Sequence, residues 1–174
     1  MLKAYNKHVQ ERALKNIPPK PLTAEQTEAL IISLVSGGSD DKNTLIELLT
    51  HRVPPGVDPA AKLKANFLYQ QIKEENPANI IAPQQAIELL GTMQGGYNIQ
   101  PLIDLLDNPK WARSAAEQLS TTLLIFEKFK DVEEKAKQGN IWAQNVIQSW
   151  ANAEWFLRRP ELPEKITLKV FKVT

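Results

Sequence analysis

The chain has 174 residues, 43% of them hydrophobic and 24% charged, which is enough to bury the core of one domain. Lysine and arginine number 21 against 20 acidic residues, and a net charge of +1 supplies no long-range field to gather nucleic acid or an anionic membrane. There is no cysteine, which excludes disulfides, thiolate metal sites, iron–sulfur ligation and thiol nucleophiles from this sequence.

The opening MLKAYNKHVQERALKN is charged throughout and lacks the apolar core of a signal peptide, and no apolar run approaches the ~18 residues of a membrane span. A cytoplasmic chain is expected. Leu2, Tyr5, Val9, Ala13 and Leu14 recur at helical spacing to about Asn16, and the prolines at 18, 19 and 21 end that helix. Thr23 with Gln26 forms a capping box that opens a helix to Val35, with Leu30, Ile31, Leu34 and Val35 on one side. A loop over 36–41 leads to a helix from Lys42 to about His51, built on Leu45, Leu48 and Leu49. RVPPGV (52–57) ends it, and Asp58 with Pro59 starts a helix to about Glu75 whose buried stripe is Ala61, Ala65, Leu68 and Ile72. Asn76 to Ala82 form a connector.

Pro83 starts a short helix that runs into GTMQGGYNIQPLIDLL (91–106). Gly91 stands where a helix C′ residue adopts positive φ, Gly95 and Gly96 allow a sharp turn, and Asn98 with Pro101 suits a new N-terminus. After a break at Asp107-Asn108-Pro109, the residues Ala112, Ala116, Leu119, Leu123 and Phe126 mark a long helix, with a kink site at Ser120-Thr121-Thr122. DVEEKAKQGN (131–140) reads as a solvated polar helix with Gly139 at its end. Asn140 caps a last helix in which Trp142, Val146, Trp150, Ala153 and Leu157 form the core stripe.

LIELL (45–49) and LIDLL (102–106) are each followed by a proline-containing loop and an alanine-rich helix. Their separation of 57 residues exceeds the ~40–47 of one HEAT unit, so a degenerate or enlarged repeat is expected. The fold class is therefore all-α, a HEAT-like stack of antiparallel helix pairs. Past Pro163, Ile166, Leu168 and Val170 alternate with Lys165, Thr167 and Lys169 in a strand pattern. A lone strand is not stable, so 164–174 reads as the first strand of a following β-containing domain, or as an edge that pairs with another copy.

Catalytic chemistry is thinly represented. His8 and His51 have no second histidine at metal-ligand spacing and read as surface or capping groups. Asp40-Asp41, Glu74-Glu75 and Glu133-Glu134 read as solvated or capping pairs rather than acid–base pairs. The glycine turn follows a helix rather than a strand and matches neither phosphate-binding motif. It is a structural corner, with Met93, Gln94, Tyr97 and Asn98 as candidates for contact with a partner domain or a substrate passage. The C-terminal cations Arg158, Arg159, Lys165, Lys169 and Lys172 read as a solubilising linker rather than phosphate contacts.

PKPLTAEQT (19–27), HRVPPGVD (51–58), AIELLGTMQGGYNIQPLIDLLD (86–107), DVEEKAKQGN (131–140), QSWANAEWF (148–156) and EKITLKVFKVT (164–174) together resemble the N-terminal region of the bacterial aconitate hydratase B family. That family includes the bifunctional aconitase and 2-methylisocitrate dehydratase. The resemblance implies a HEAT-like domain over 1–159, then a linker and the first strand of a swivel domain over 160–174. It also implies a [4Fe–4S] cluster held by cysteines far downstream, and a full-length enzyme that interconverts citrate and isocitrate through cis-aconitate. No catalytic, cofactor or metal residue is carried over to this segment, which alone should be inactive. The implied partners are the downstream catalytic domains of the same chain, a second copy, and other citric acid cycle enzymes. RNA binding is the alternative reading, weakened by the near-neutral charge.

Overall fold

Thr23 Oγ1 accepts the amide of Gln26 at 3.2 Å while Gln26 Oε1 accepts the amide of Thr23 at 3.0 Å, so two orphan donors at one helix start are satisfied reciprocally. This capping box opens α2 (Ala24–Ser36), which ends at Gly37 in the left-handed region with φ 64°. Thr23→Ala is expected to cost about 1 kcal/mol, read as a lowered denaturant midpoint with an unchanged slope.

In the computed structural model, the described residues are 2–37, 40–73, 80–122 and 125–154. All the regular secondary structure among them is helical: α1 (Leu2–Ala13), α2, α3 (Lys42–His51), α4 (Pro59–Ile72), α5 (Pro83–Gly91), α6 (Ile99–Leu105), α7 (Ala112–Ser120), a 3₁₀ turn (Phe126–Lys128), α8 (Phe129–Lys137) and α9 (Ile141–Ala151). None of these helices is long and apolar enough to cross a membrane. The strand read at 164–174, the boundary at 159/160, Glu74-Glu75, Leu157 and the C-terminal cations lie outside the described residues.

Local sequence explains most of the boundaries. Asp41 caps α3 by accepting the Thr44 amide at 2.8 Å and its hydroxyl at 2.7 Å, bonds that hold the Asp41 carboxyl below its usual value. Asp58 caps α4 through the Ala60 amide at 2.8 Å, with Pro59 in the first turn. Asn140 Oδ1 accepts the amides of Trp142 and Ala143, both at 3.0 Å, to open α9. Its Nδ2 donates to the Leu106 carbonyl at 2.8 Å and to Asp107 Oδ1 at 3.0 Å, so one side chain caps a helix and ties it to the end of α6. Lys135 of α8 pairs with the same Asp107.

The repeat is resolved as a three-helix unit. α2 packs on α3 and α4, and α5 packs on α6 and α7 with α6 also against α7, while the α4–α5 contact joins the two units. α9 closes the stack against α7 and α8. The two pentapeptides form corresponding middle helices: Leu45, Leu48 and Leu49 are buried in one, Leu102, Ile103, Leu105 and Leu106 in and beside the other. A third helix in each unit accounts for a spacing longer than that of a two-helix HEAT repeat.

Four expectations require correction. The helix from Ala112 stops at Ser120 rather than continuing to Phe126. Thr121 and Thr122 both turn their hydroxyls onto the Gln118 carbonyl, at 3.0 and 2.9 Å, and two consecutive β-branched residues bonded backwards favour an end over a bend. Val35 is exposed at the last turn of α2, and Leu14 lies beyond the end of α1, 87% exposed. Trp142 and Trp150 pack against the core from half-buried positions instead of filling it; Trp150 Nε1 donates to the Leu119 carbonyl at 2.9 Å, and its ring lies 5.8 Å from that of Phe129. The fourth concerns Gly91 and belongs with the turn it precedes.

Candidate functional site

The corner between α5 and α6 is built from three consecutive residues of positive φ: Gln94 at 61°, Gly95 at 93° and Gly96 at 83°. Gly91 does not share that conformation; it is the last residue of α5. What it provides is room, because a Cβ there would lie 2.0 Å from Gln118 Oε1 of α7. The glycine read as a C-cap is thus a helix–helix contact point, and the reversal comes three residues later.

Asn98 sits at the N-cap position of α6 but does not cap it. Its buried Nδ2 reaches back to the Leu90 carbonyl at 2.8 Å, closing the turn between the end of one helix and the start of the next. Met93 is also buried, and its carbonyl accepts the Gly56 amide at 3.0 Å. The corner is therefore stapled to the 52–58 loop. Of the four residues selected from the sequence, Met93 and Asn98 face inward, whereas Gln94 and Tyr97 are exposed. The Lys62 ammonium stands 5.8 Å from the Tyr97 ring centroid, within cation–π range.

Between this corner, the 52–58 loop and α4 lies a cavity of about 300 Å³. Val53, Pro54, Leu89 and Met93 supply apolar wall; Gln94, His51 and Lys64 are among its polar members. Lys64 is only 3% exposed, and its Nζ donates to the Thr50 carbonyl at 3.0 Å. Thr50 lies in the last turn of α3, where the helix dipole is negative and favours a cation. Burial nevertheless pushes the Lys64 ammonium down to about 8. Among the described residues no carboxylate forms an ion pair with it. Sequence reading assigned Lys64 nothing, although it falls three residues after Ala61 and four before Leu68, on the buried stripe of α4.

The histidines take surface positions. His8 Nε2 accepts the Lys20 amide at 3.1 Å, and His51 ends α3 at the mouth of the cavity. Among the described residues no three His, Cys, Asp or Glu side chains converge on a common metal position. A second, more apolar groove of about 420 Å³ runs between α2 and α4, where Ile31, Phe67 and Ile80 adjoin Ile32 and Val35, which are 60% and 58% exposed.

The described residues thus define an all-helical repeat domain with a stapled glycine corner. A family profile described as the aconitate B N-terminal domain matches residues 4–156, and the chain belongs to that family. It is 58% identical over 174 residues to the aconitate hydratase B of Escherichia coli K12, covering all of this chain and 20% of that protein. It is 54% identical over 173 residues to that of Pseudomonas aeruginosa and 44% over 176 residues to that of Helicobacter pylori, in each case over 99% of this chain and 20% of the relative. The chain spans about a fifth of the length of these relatives, and the match falls on a domain named for their N-terminal part.

Proposed function

We propose that the chain is the N-terminal helical module of a cytoplasmic aconitate hydratase of the B type, packing against the catalytic domains of the same polypeptide and helping to shape access to their active site. The match of residues 4–156 to the N-terminal domain of that family carries the reading. In this reading the longer enzyme interconverts citrate and isocitrate through cis-aconitate, and 2-methylisocitrate is a second candidate substrate. The chain's own residues do not fit a [4Fe–4S] cluster, because it has no cysteine to supply thiolate ligands. The cluster belongs to the rest of the enzyme, and no chemical step is assigned to this module.

An architectural role is supported by apolar surface the module leaves uncovered. Ile32 and Val35 stand side by side on α2 beside an apolar groove, and adjoining apolar residues on a polar-rimmed surface mark contact sites. Gln94 and Tyr97 offer a second, more polar contact at the corner. Self-association and contact with other enzymes of the citric acid cycle would use the same kinds of surface. RNA binding gains no support, since a net charge of +1 supplies no field to gather a polyanion.

The test is the pair of substitutions Ile32→Glu and Val35→Glu, made together in the 174-residue chain and in the longer enzyme. Both side chains are exposed in the chain, so its melting temperature should stay within about 2 °C of the parent. In the longer enzyme, where we place them against a neighbouring domain, the melting temperature and citrate turnover should both fall. Equal behaviour in the two contexts would remove the packing role from this face, and citrate turnover by the 174-residue chain alone would overturn the reading as a non-catalytic module.

A further inference from the structure

The Lys64 ammonium is a buried cation with more donor capacity than the chain uses. It is 3% exposed and has one acceptor among the described residues, the Thr50 carbonyl at 3.0 Å, although an ammonium carries three N–H donors. Burying an unpaired charge is expensive, and folded chains normally place a carboxylate beside it. Here the space beside it is a cavity of about 300 Å³, at the small end of the range of small-molecule sites. Of its other lining residues only His51 is ionisable, and none is acidic. The polar side of the cavity therefore lacks the negative charge that Lys64 would select.

We propose that the cavity between the glycine corner and the 52–58 loop is a carboxylate-binding site, in which Lys64, steadied on the Thr50 carbonyl, pairs with the anion and Gln94 offers its side-chain amide as a second donor. The lining selects the class of ligand. One ammonium matches the single charge of a carboxylate, and Val53, Pro54, Leu89 and Met93 match an attached carbon skeleton. A phosphate dianion would find one cation and few additional donors. The Thr92 and Thr50 hydroxyls are occupied, donating to the Leu89 and Ile46 carbonyls at 2.7 and 2.8 Å. The carboxylate has two possible sources: a free small acid, or an aspartate or glutamate of the polypeptide to which the chain belongs. The inference stands on the cavity alone and is independent of the catalytic assignment.

The experiment has one arm for each source. In the first, carbon NMR of lysine ε-carbons is recorded on the 174-residue chain during titration with butanoate, and separately with citrate, at constant ionic strength, with chloride and inorganic phosphate as controls. Lys64 is identified by the resonance missing from Lys64→Met. A free-acid site predicts a saturable change at Lys64, with its pKa rising by about one unit. Amide shifts at Thr92 to Gln94 should accompany it, be lost in Lys64→Met and persist in Lys62→Met, whose ammonium lies over Tyr97 rather than in the cavity. If Lys64→Met does not fold, Lys64→Arg identifies the Lys64 resonance by its absence, and the pH titration of that resonance in the parent chain carries the same readout.

In the second arm, trace acetic anhydride labelling of Lys64 is followed against pH by mass spectrometry in the longer enzyme without added acid. A labelling midpoint raised by about one unit above that of the 174-residue chain identifies a carboxylate side chain as the occupant. A response in either arm supports the site and names its source. No response in both arms, or phosphate binding as tightly as butanoate, would overturn it.

Discussion

Gly96→Ala is expected to destabilise the chain by about 3 kcal/mol, the sum of a left-handed backbone forced on an L residue and a collision with another loop's main chain. At φ 83° the added Cβ would stand 2.6 Å from the Gly56 carbonyl oxygen and 3.2 Å from Val57 Cγ1. Backbone cannot swing aside as a side chain can. Relief requires the 52–58 loop to withdraw, which breaks the bond from the Gly56 amide to Met93 and opens the cavity wall. Gly91→Ala makes the informative contrast. Its Cβ would meet Gln118 at an even shorter distance, but the obstacle is the end of a flexible side chain, and alanine recovers about 1 kcal/mol of helix propensity. That variant should fall within about 1 kcal/mol of the parent. Urea denaturation of both variants decides the matter; a Gly91→Ala cost equal to that of Gly96→Ala would mean that crowding alone, and not backbone conformation, governs the corner.

Lys64→Met should abolish the rise of stability with pH that Lys64 gives the chain in alkaline solution. Burial lowers the Lys64 ammonium from 10.5 to about 8, so the folded chain releases this proton before the unfolded chain does. Below pH 8 both states hold it and the folded state carries the full cost of the buried charge. Between about 8 and 10.5 the unfolded state binds more protons, and stability rises with pH. The gain is on the order of 3 kcal/mol, from about 2.5 units at 1.36 kcal/mol per unit. Methionine has a similar shape and no charge to bury. The variant should be the more stable protein at neutral pH, and its advantage should shrink steadily toward pH 10.5, as measured by chemical denaturation across that interval. A constant difference between the two proteins would show that the ammonium reaches water in the folded state.

The contrast between these two residues also shows what sequence patterning could disclose. Helix starts were legible because capping is local: Thr23, Asp41, Asp58 and Asn140 each satisfy amides two or three residues ahead, and the spacing is visible in one dimension. The pentapeptide repeat was legible as well, since Leu45 to Leu49 and Leu102 to Leu106 face the same kind of core. The end of α7 was harder to read. Apolar spacing continued through Leu123 and Phe126, while the threonine hydroxyls that turn back onto Gln118 leave no periodic trace.

The site was legible only in outline. The glycine corner stood out, but Asn98 was assigned outward when its amide is needed to close the turn on Leu90. Whether a polar residue caps forward or reaches back depends on where the preceding helix ends in space. Lys64 left one usable signal, a lysine on the buried stripe of α4. Alanines at 60, 61 and 65 make that stripe shallow enough for a long side chain to lie along it.

The Arg52 guanidinium donates to the Tyr5 hydroxyl at 3.0 Å and to the carbonyls of Pro19 and Lys20, and its own carbonyl accepts the Leu22 amide at 2.8 Å. Tyr5 is the one buried residue of α1, with Leu2 and Val9 packed beside it on the core, and α1 forms no broad contact with another helix among the described residues. A twelve-residue helix is marginal by itself in water. α1 is therefore fastened by this polar clasp together with the narrow apolar contact of Leu2, Tyr5 and Val9. Its amides should exchange with solvent through detachment of the first turns of chain while α2 to α7 stay closed, at a free energy set by the Arg52 clasp and the few apolar side chains around Tyr5.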